Sequence, residues 1–326
     1  MKTLPSSSAN KKTSSANKTA RLKTASSASS RTKSSDAVTI THPERVVFAE
    51  GYTKQDVVDY YRAVMPGLLD AIRNRPLSII RCPDGTAAGC FFQKHTLPGL
   101  KRVRSVVLTE ESGGEGTYLY VDAPEQVIEL VQFNAIEFHP WASTVQKSER
   151  TDYIVFDLDP GPDVVWKSVV SAAEFLRDRL SQIGLQSFVR TSGGKGLHVV
   201  VPLRPAISWS ASKAFAHTFA QGIVDVAPDR FIATASKAKR GGVIFIDYLR
   251  NSRGATSVAS YSLRARAGAP VAMPLRWDDL RKLKSASEFN LQNVPARLKR
   301  QRQDPWAGFG ELRQSLPRVS AIKNMK

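Results

Sequence analysis

The chain is 326 residues long, 42% apolar and strongly basic, with 47 Lys/Arg against 29 Asp/Glu and a formal charge of +18. That length admits one large domain or two smaller ones, and two cysteines are too few for a disulfide framework or a four-cysteine zinc site. No apolar run reaches the roughly 18 residues of a membrane span and no signal-peptide core follows Met1, so a cytoplasmic, reducing setting is expected, with Cys82 and Cys90 as buried thiols.

Residues 1–36 are rich in Ser, Thr, Ala and Lys, and carry eight Lys/Arg and one acid. They hold too few large apolar groups to offset their ordering entropy. A disordered basic tail is expected there, with a transit peptide or a solubilising extension as alternatives. The body is expected over 37–320, and 321–326 reads as a short C-terminal tail. The body keeps 39 basic and 28 acidic residues, which suits a polyanionic partner such as nucleic acid.

Thr53 reads as the N-cap of a helix over 54–72, with Val57, Val58, Tyr61, Val64, Met65, Leu68 and Leu69 as its inner stripe. Strands are expected at Leu77–Arg81, Cys90–Gln93, Val103–Leu108 and Tyr118–Val121. A helix near Pro124–Phe133 and a strand at Ile136–His139 follow. The strand ending in Asp157 and Asp159 precedes a helix of about 164–183, stopped by Gly184. Gln186–Arg190 and Leu197–Leu203 read as strands around a glycine-rich turn, followed by a helix over 210–226, a strand ending at Asp247 and a strand at Ser257–Arg264. Residues 276–326 read as helical and then irregular. This order points to α/β or α+β, not to a doubly wound parallel sheet.

Asp157 and Asp159 close the run Tyr153-Ile154-Val155-Phe156-Asp157-Leu158-Asp159. Carboxylates at i and i+2 of a strand share a face and repel. Asp247 ends a second apolar run, where an unpaired charge is costly. Hard oxygen ligands of this kind hold Mg²⁺ or Mn²⁺, and a third carboxylate on a neighbouring strand would complete a site for two metals and a phosphate chain. The bland alternative is a pair of strand-end carboxylates that cap the next helix.

Arg190-Thr191-Ser192-Gly193-Gly194-Lys195-Gly196-Leu197-His198 lies between two strands. Its glycines let backbone N–H groups approach an anion, and Lys195 and His198 add donors. It is not a Walker A loop, since Val189 stands where the first glycine belongs and Gly196 follows the lysine. A plain glycine-rich hairpin is the alternative. Arg264 and Arg266 alternate at the end of the expected strand and would share a face; with Arg250 they suit phosphate oxygens, or else form a solvent-facing basic edge. Phe91-Phe92-Gln93-Lys94-His95 sets aromatics beside cations, as base stacking requires, although a core role for one phenylalanine is the simpler reading. Glu137-Phe138-His139-Pro140-Trp141 offers a strand-end histidine, either a ligand contact or a satisfied core residue. No G-x-S-x-G elbow or H-E-x-x-H pair occurs. Cys82-Pro83-Asp84-Gly85 has cysteine where the K-x-D-G motif of a ligase needs its nucleophilic lysine.

The order of these six motifs, continuing through Ile246-Asp247-Tyr248-Leu249-Arg250-Asn251 and Tyr261-Ser262-Leu263-Arg264-Ala265-Arg266, resembles the polymerase domain of bacterial ATP-dependent DNA ligase D. That domain belongs to the archaeo-eukaryotic primase superfamily, and the resemblance covers about residues 38–318. It implies two packed α/β modules, one like an RNA-recognition motif, with the active site between them. It implies a nucleotidyltransferase that fills gaps and extends 3′ ends during non-homologous end joining in the bacterial cytoplasm, at the nucleoid. Asp157, Asp159 and Asp247 would be catalytic ligands of two Mn²⁺ or Mg²⁺ ions. Ser192, Lys195, His198, Arg250, Arg264 and His139 would bind an NTP or dNTP. Phe91 would stack near the templating base, and Lys54 would bind the 5′-phosphate across a gap or at a DNA end. Ku and a separate ATP-dependent ligase are the implied protein partners. The rival readings are a stand-alone primase that starts chains de novo and a non-catalytic DNA-end-binding factor.

Overall fold

The computed structural model describes residues 38–110, 113–318 and 322. The tail expected over 1–36 lies outside these residues, as does the short C-terminal tail apart from Ile322. Among the described residues no helix is long and apolar enough to cross a membrane.

The described residues of the body are mixed α/β, with two sheets and six helices. Helix α1 (Lys54–Ile72) starts where the cap was expected. Thr53 Oγ1 accepts from Asp56 N–H at 3.2 Å, and Asp56 Oδ2 accepts from Thr53 N–H at 2.7 Å, a reciprocal capping box. All seven residues of the expected inner stripe are buried. Two tyrosines on that face reach across the molecule. Tyr60 Oη donates to the Tyr261 carbonyl at 2.8 Å, while Tyr61 Oη donates to the Ile136 carbonyl and accepts from Leu263 N–H at 3.1 Å.

The first sheet holds β1 (Leu77–Arg81), β2 (Phe91–Gln93), β3 (Arg104–Thr109), β4 (Glu115–Tyr120) and β5 (Ala135–Pro140). β1 pairs antiparallel with β5 on one side and with β2 and β4 on the other. α2 (Pro124–Gln132) leads into β5. The second sheet and its two helices follow as β6 (Arg150–Pro160), α3 (Trp166–Gln182), β7 (Phe188–Thr191), β8 (Leu197–Ser208), α4 (Trp209–Val226), β9 (Phe231–Ile232), β10 (Ile244–Asp247) and β11 (Pro274–Leu275). Its strand order is β11-β7-β8-β6-β10-β9, and only the short β9–β10 pair is parallel. The inner four strands and two helices form a β-α-β-β-α-β unit, the topology of an RNA-recognition motif. The short helices α5 (Trp277–Leu280) and α6 (Asn293–Arg300) follow.

Alternation along β6 divides its side chains. Ile154, Phe156 and Leu158 are fully buried with residues of α3 and α4, and the Phe156 and Phe219 rings lie 5.0 Å apart. Tyr153, Val155, Asp157 and Asp159 point to the other face, where Tyr153 and Val155 join Val200, Trp141 and Trp209 in a second apolar cluster.

Two expectations are corrected. Ser257–Arg264 is not a strand. Tyr261 takes a left-handed φ of 66°, and the segment's amides bond one at a time to Phe138, Ala272 and Pro270 carbonyls. Arg264 and Arg266 therefore do not share a strand face. Cys82 and Cys90 are not free thiols but a disulfide. They follow and precede the last paired residues of β1 and β2, Arg81 and Phe91, which brings their Cα atoms to 4.3 Å.

Gly196 is fixed by a close approach at the start of β8. A Cβ there would stand 2.0 Å from the Leu158 carbonyl oxygen, between the two aspartates of β6. Gly196→Ala is expected to cost about 2–3 kcal/mol through overpacking. Urea unfolding reads this directly, and an unchanged midpoint would contradict the packing described.

Candidate active site at the ends of the central strands

The antiparallel registers of the second sheet set four polar residues in one line. Arg190 on β7 is paired with His198 on β8, His198 with Asp157 on β6, and Asp157 with Asp247 on β10. Directly paired residues project on the same side of a sheet, so the four side chains are neighbours. Arg190 Nε donates to His198 Nδ1 at 3.1 Å, and His198 Nε2 lies 3.4 Å from Asp157 Oδ1. Arg250 follows β10 by a short 3-10 turn and closes the line. Its Nε lies 3.1 Å from Asp247 Oδ2 and 3.5 Å from Asp157 Oδ2. Asn251, fully buried, accepts from Val155 N–H and donates to the Val155 carbonyl, both at 2.8 Å, so an amide side chain continues the ladder where β10 has ended.

The two paired carboxylates are driven apart in acidity. Burial would raise the Asp157 carboxyl, but the His198 ring and the Arg250 charge outweigh it and hold it below the usual carboxylate range. Burial and the neighbouring Asp157 charge push Asp247 up, against the opposing pull of Arg250. One site cannot readily hold both negative charges. Asp159, on the same face of β6, is half exposed and binds Arg240 Nη1 at 2.7 Å. Among the described residues no three His, Cys, Asp or Glu side chains converge closely enough to hold a metal ion.

A second cluster adjoins the line. Glu137 on β5 is buried and accepts from His139 Nε2, Arg264 Nε and Ala265 N–H, each at 2.8 Å. Burial would raise its carboxyl, but these donors outweigh it and bring it down to about 2. Arg264 Nη1 also donates to the Ser192 carbonyl, which ties the cluster to the glycine-rich turn. In that turn Ser192 Oγ accepts from Gly194 and Gly196 N–H, both at 3.2 Å. Gly193 takes φ 63°, and a Cβ there would press on Arg264 Cγ at 2.7 Å. Lys195 is exposed.

The remaining candidates lie in other contacts. Phe91 and Phe92 are 45% and 53% exposed. Arg81 packs over Phe91 at 5.3 Å, while Phe92 is the ring beside His139, at 5.9 Å. Lys54 is buried, and its Nζ donates to the Thr41 and Gln132 carbonyls at 3.1 and 2.8 Å. Burial and the nearby Arg45 charge lower it to about 8. Arg81 donates to the Phe133 carbonyl and Arg45 to Asn134 Oδ1, so three cations gather at the C-terminal end of α2, the negative pole of its dipole. The structure thus joins Asp157, Asp247, His198 and Arg250, and separately His139, Arg264 and Ser192. Reading the sequence missed Arg190, Glu137, Arg240 and Asn251 as parts of the site. Glu137 alone carried a signal, as an acid inside the apolar strand Ala135–Pro140.

The model of the LigD primase-polymerase domain matches residues 53–306. The multifunctional non-homologous end joining protein LigD of Pseudomonas aeruginosa is 38% identical over 290 residues, which is 87% of this chain and 34% of that protein. The Mycobacterium tuberculosis protein of similar name is 33% identical over 257 residues, 76% of this chain and again 34% of the relative. The chain therefore spans about a third of the length of these relatives. Among solved structures, the polymerase domain from M. tuberculosis ligase D in complex with DNA superposes with a TM-score of 0.78 at 30% identity, covering 85% of this chain and 99% of that one.

Glu137 gives a test of the second cluster. Its carboxylate is lowered from 4.5 to about 2, so its stabilising effect is complete above pH 4.5 and is lost as pH falls through 2. Glu137→Gln is expected to cost about 3 kcal/mol near neutrality. The gap to wild type should close between pH 4.5 and 2 in chemical denaturation; a gap independent of pH would refute the assignment.

Proposed function

The chain belongs to the LigD primase-polymerase family, and from that premise we propose that it is a DNA-dependent nucleotidyltransferase of bacterial non-homologous end joining. It extends a primer 3′ end, or fills a gap at a double-strand break, with an NTP or dNTP. The observation that carries this reading is the side-by-side pairing of Asp157 and Asp247 with a single arginine between them. Two adjacent carboxylates, one of them pushed towards neutrality, are a donor set that a divalent cation would relieve.

That donor set fits Mn²⁺ or Mg²⁺. Asp157 and Asp247 would hold the ion, and Asp159 would join them on release from Arg240. When bound, the metal would lower the pKa of the primer 3′-OH and neutralise charge on the triphosphate. The protein's own groups do the rest. Arg250 and Arg264 supply fixed positive charge where phosphate oxygens gather. The glycines of the turn let N–H groups approach those oxygens, with Lys195 reaching in from solvent. Glu137 holds His139 and Arg264 in place for the nucleotide, so neither side chain has to be ordered on binding. Phe92 or Phe91 offers a face for a base. The ligand of Lys54 and its two neighbouring arginines would be the 5′-phosphate of the DNA. Ku and an ATP-dependent ligase activity would complete the repair.

Gap-filling on a DNA duplex with Mn²⁺ or Mg²⁺ tests the reading. Asp157→Ala and Asp159→Ala are each expected to lower extension by at least about 100-fold, by loss of metal-held catalysis, while DNA binding survives. Extension at the wild-type rate would overturn the metal assignment, and products from template without primer would favour a primase. Lys54→Ala should erase the preference for a 5′-phosphorylated gap over a 5′-hydroxyl one. A preference that persists would remove Lys54 from the phosphate site.

A further inference from the structure

Arg190 is 5% exposed, and none of its hydrogen bonds runs to a carboxylate. Its Nη2 donates to Ser257 Oγ at 3.0 Å, its Nη1 to Ser260 Oγ at 3.4 Å and its Nε to His198 Nδ1 at 3.1 Å. The guanidinium lies over the Trp306 ring, 5.7 Å from its centre. A buried charge with neutral partners is costly, so its placement calls for a use.

Hydrogen-bond chemistry supplies one. A guanidinium only donates. His198 Nδ1 must therefore accept, and a ring with a lone pair on Nδ1 is neutral, with its single proton on Nε2. A carboxylate only accepts, and Asp157 Oδ1 is the group that Nε2 faces, at 3.4 Å. The ring is 3% exposed, which leaves water little part in this choice. Arginine, imidazole and carboxylate form a relay with one direction: donor, acceptor-donor, acceptor.

We infer that Arg190 is a positioning residue for Asp157. It holds His198 in the Nε2–H form, and the ring in turn orients the carboxylate. The functional half of this inference rests on the nucleotidyltransferase reading; the tautomer does not.

The test uses the full chain, metal-free in chelator and labelled with ¹⁵N-histidine. The chain has five histidines, and a His198→Gln spectrum assigns the ring of interest. Long-range ¹H–¹⁵N correlation should show His198 protonated on Nε2 alone. In Arg190→Met that pattern should give way to Nδ1–H or mixed forms. With Mn²⁺ restored, kcat for primer extension should fall by about 10- to 100-fold, as for loss of an outer-shell partner, with KM for the nucleotide within about twofold. Arg190→Lys keeps one donor, and should keep the tautomer and stay within about threefold of wild-type kcat. If Arg190→Met fails to fold, the wild-type spectrum and Arg190→Lys still decide. Nδ1–H on wild-type His198, an unchanged tautomer or kcat in Arg190→Met, or a large loss of kcat in Arg190→Lys with its tautomer intact would each overturn the inference. Absence of extension by the wild-type protein would instead remove the proposed function, and leave the tautomer to be judged by the spectrum.

Discussion

The site depends on one electrostatic requirement: four ionisable groups stand in a row across the strands of a sheet, inside the protein. Arg190, His198, Asp157 and Asp247 occupy directly paired positions. In a medium of low polarity each must meet a complementary neighbour. Their order meets that demand along most of the row, with donors at one end, acceptors at the other and an imidazole between. The two ends remain open, and each recruits a segment of irregular chain. Ser257, Ser260 and Trp306 close the arginine end, and the turn that carries Arg250 and Asn251 closes the aspartate end. Ser257 and Ser260 are three residues apart and would face opposite sides of a regular strand, so the irregular course of 257–264 is what lets both reach Arg190.

The β-α-β-β-α-β unit gives this row a particular setting. In an RNA-recognition motif, aromatic side chains on the sheet face stack on bases. Here the two central strands, β6 and β8, present Asp157 and His198 on the face opposite α3 and α4. A stacking platform has been exchanged for a charged one. The exposed aromatic rings belong to the other sheet, on β2, and the contact that joins the two sets runs from Glu137 on β5 through Arg264 to the turn before β8. A buried carboxylate, Glu137, thus ties the charged face of one sheet to the strand beside the exposed rings of the other.

Much of the secondary structure was readable in the sequence because it is local. The capping box at Thr53 and Asp56, the stripe along α1 and the apolar runs before Asp157 and Asp247 depend on neighbours in the chain. The nearness of Asp157 to Asp247 does not. It requires β10 to pair with β6 in one register out of several, and a one-residue shift would send Asp247 to the opposite face. Arg190 and His198 flank the same expected glycine-rich hairpin, but their direct pairing likewise depends on its register. Ser257–Arg264 has the composition of a strand, and what bends it is a left-handed tyrosine beneath α1. The disulfide went unread because a strand pairing, invisible in the sequence, brings the two cysteines together.

That disulfide has a consequence for the exposed phenylalanines. It stands at the mouth of the β1–β2 hairpin, one step beyond the Arg81–Phe91 pair. β2 is three residues long, too short for its ladder alone to resist sliding. A slip by one residue one way would bring Phe91 opposite Ile80, into the place of Phe92 beside His139, and a slip the other way would bring Phe92 opposite Arg81. The covalent bond forbids the slip. It works as a register pin, so the identity of the ring that stands next to the histidine is fixed covalently.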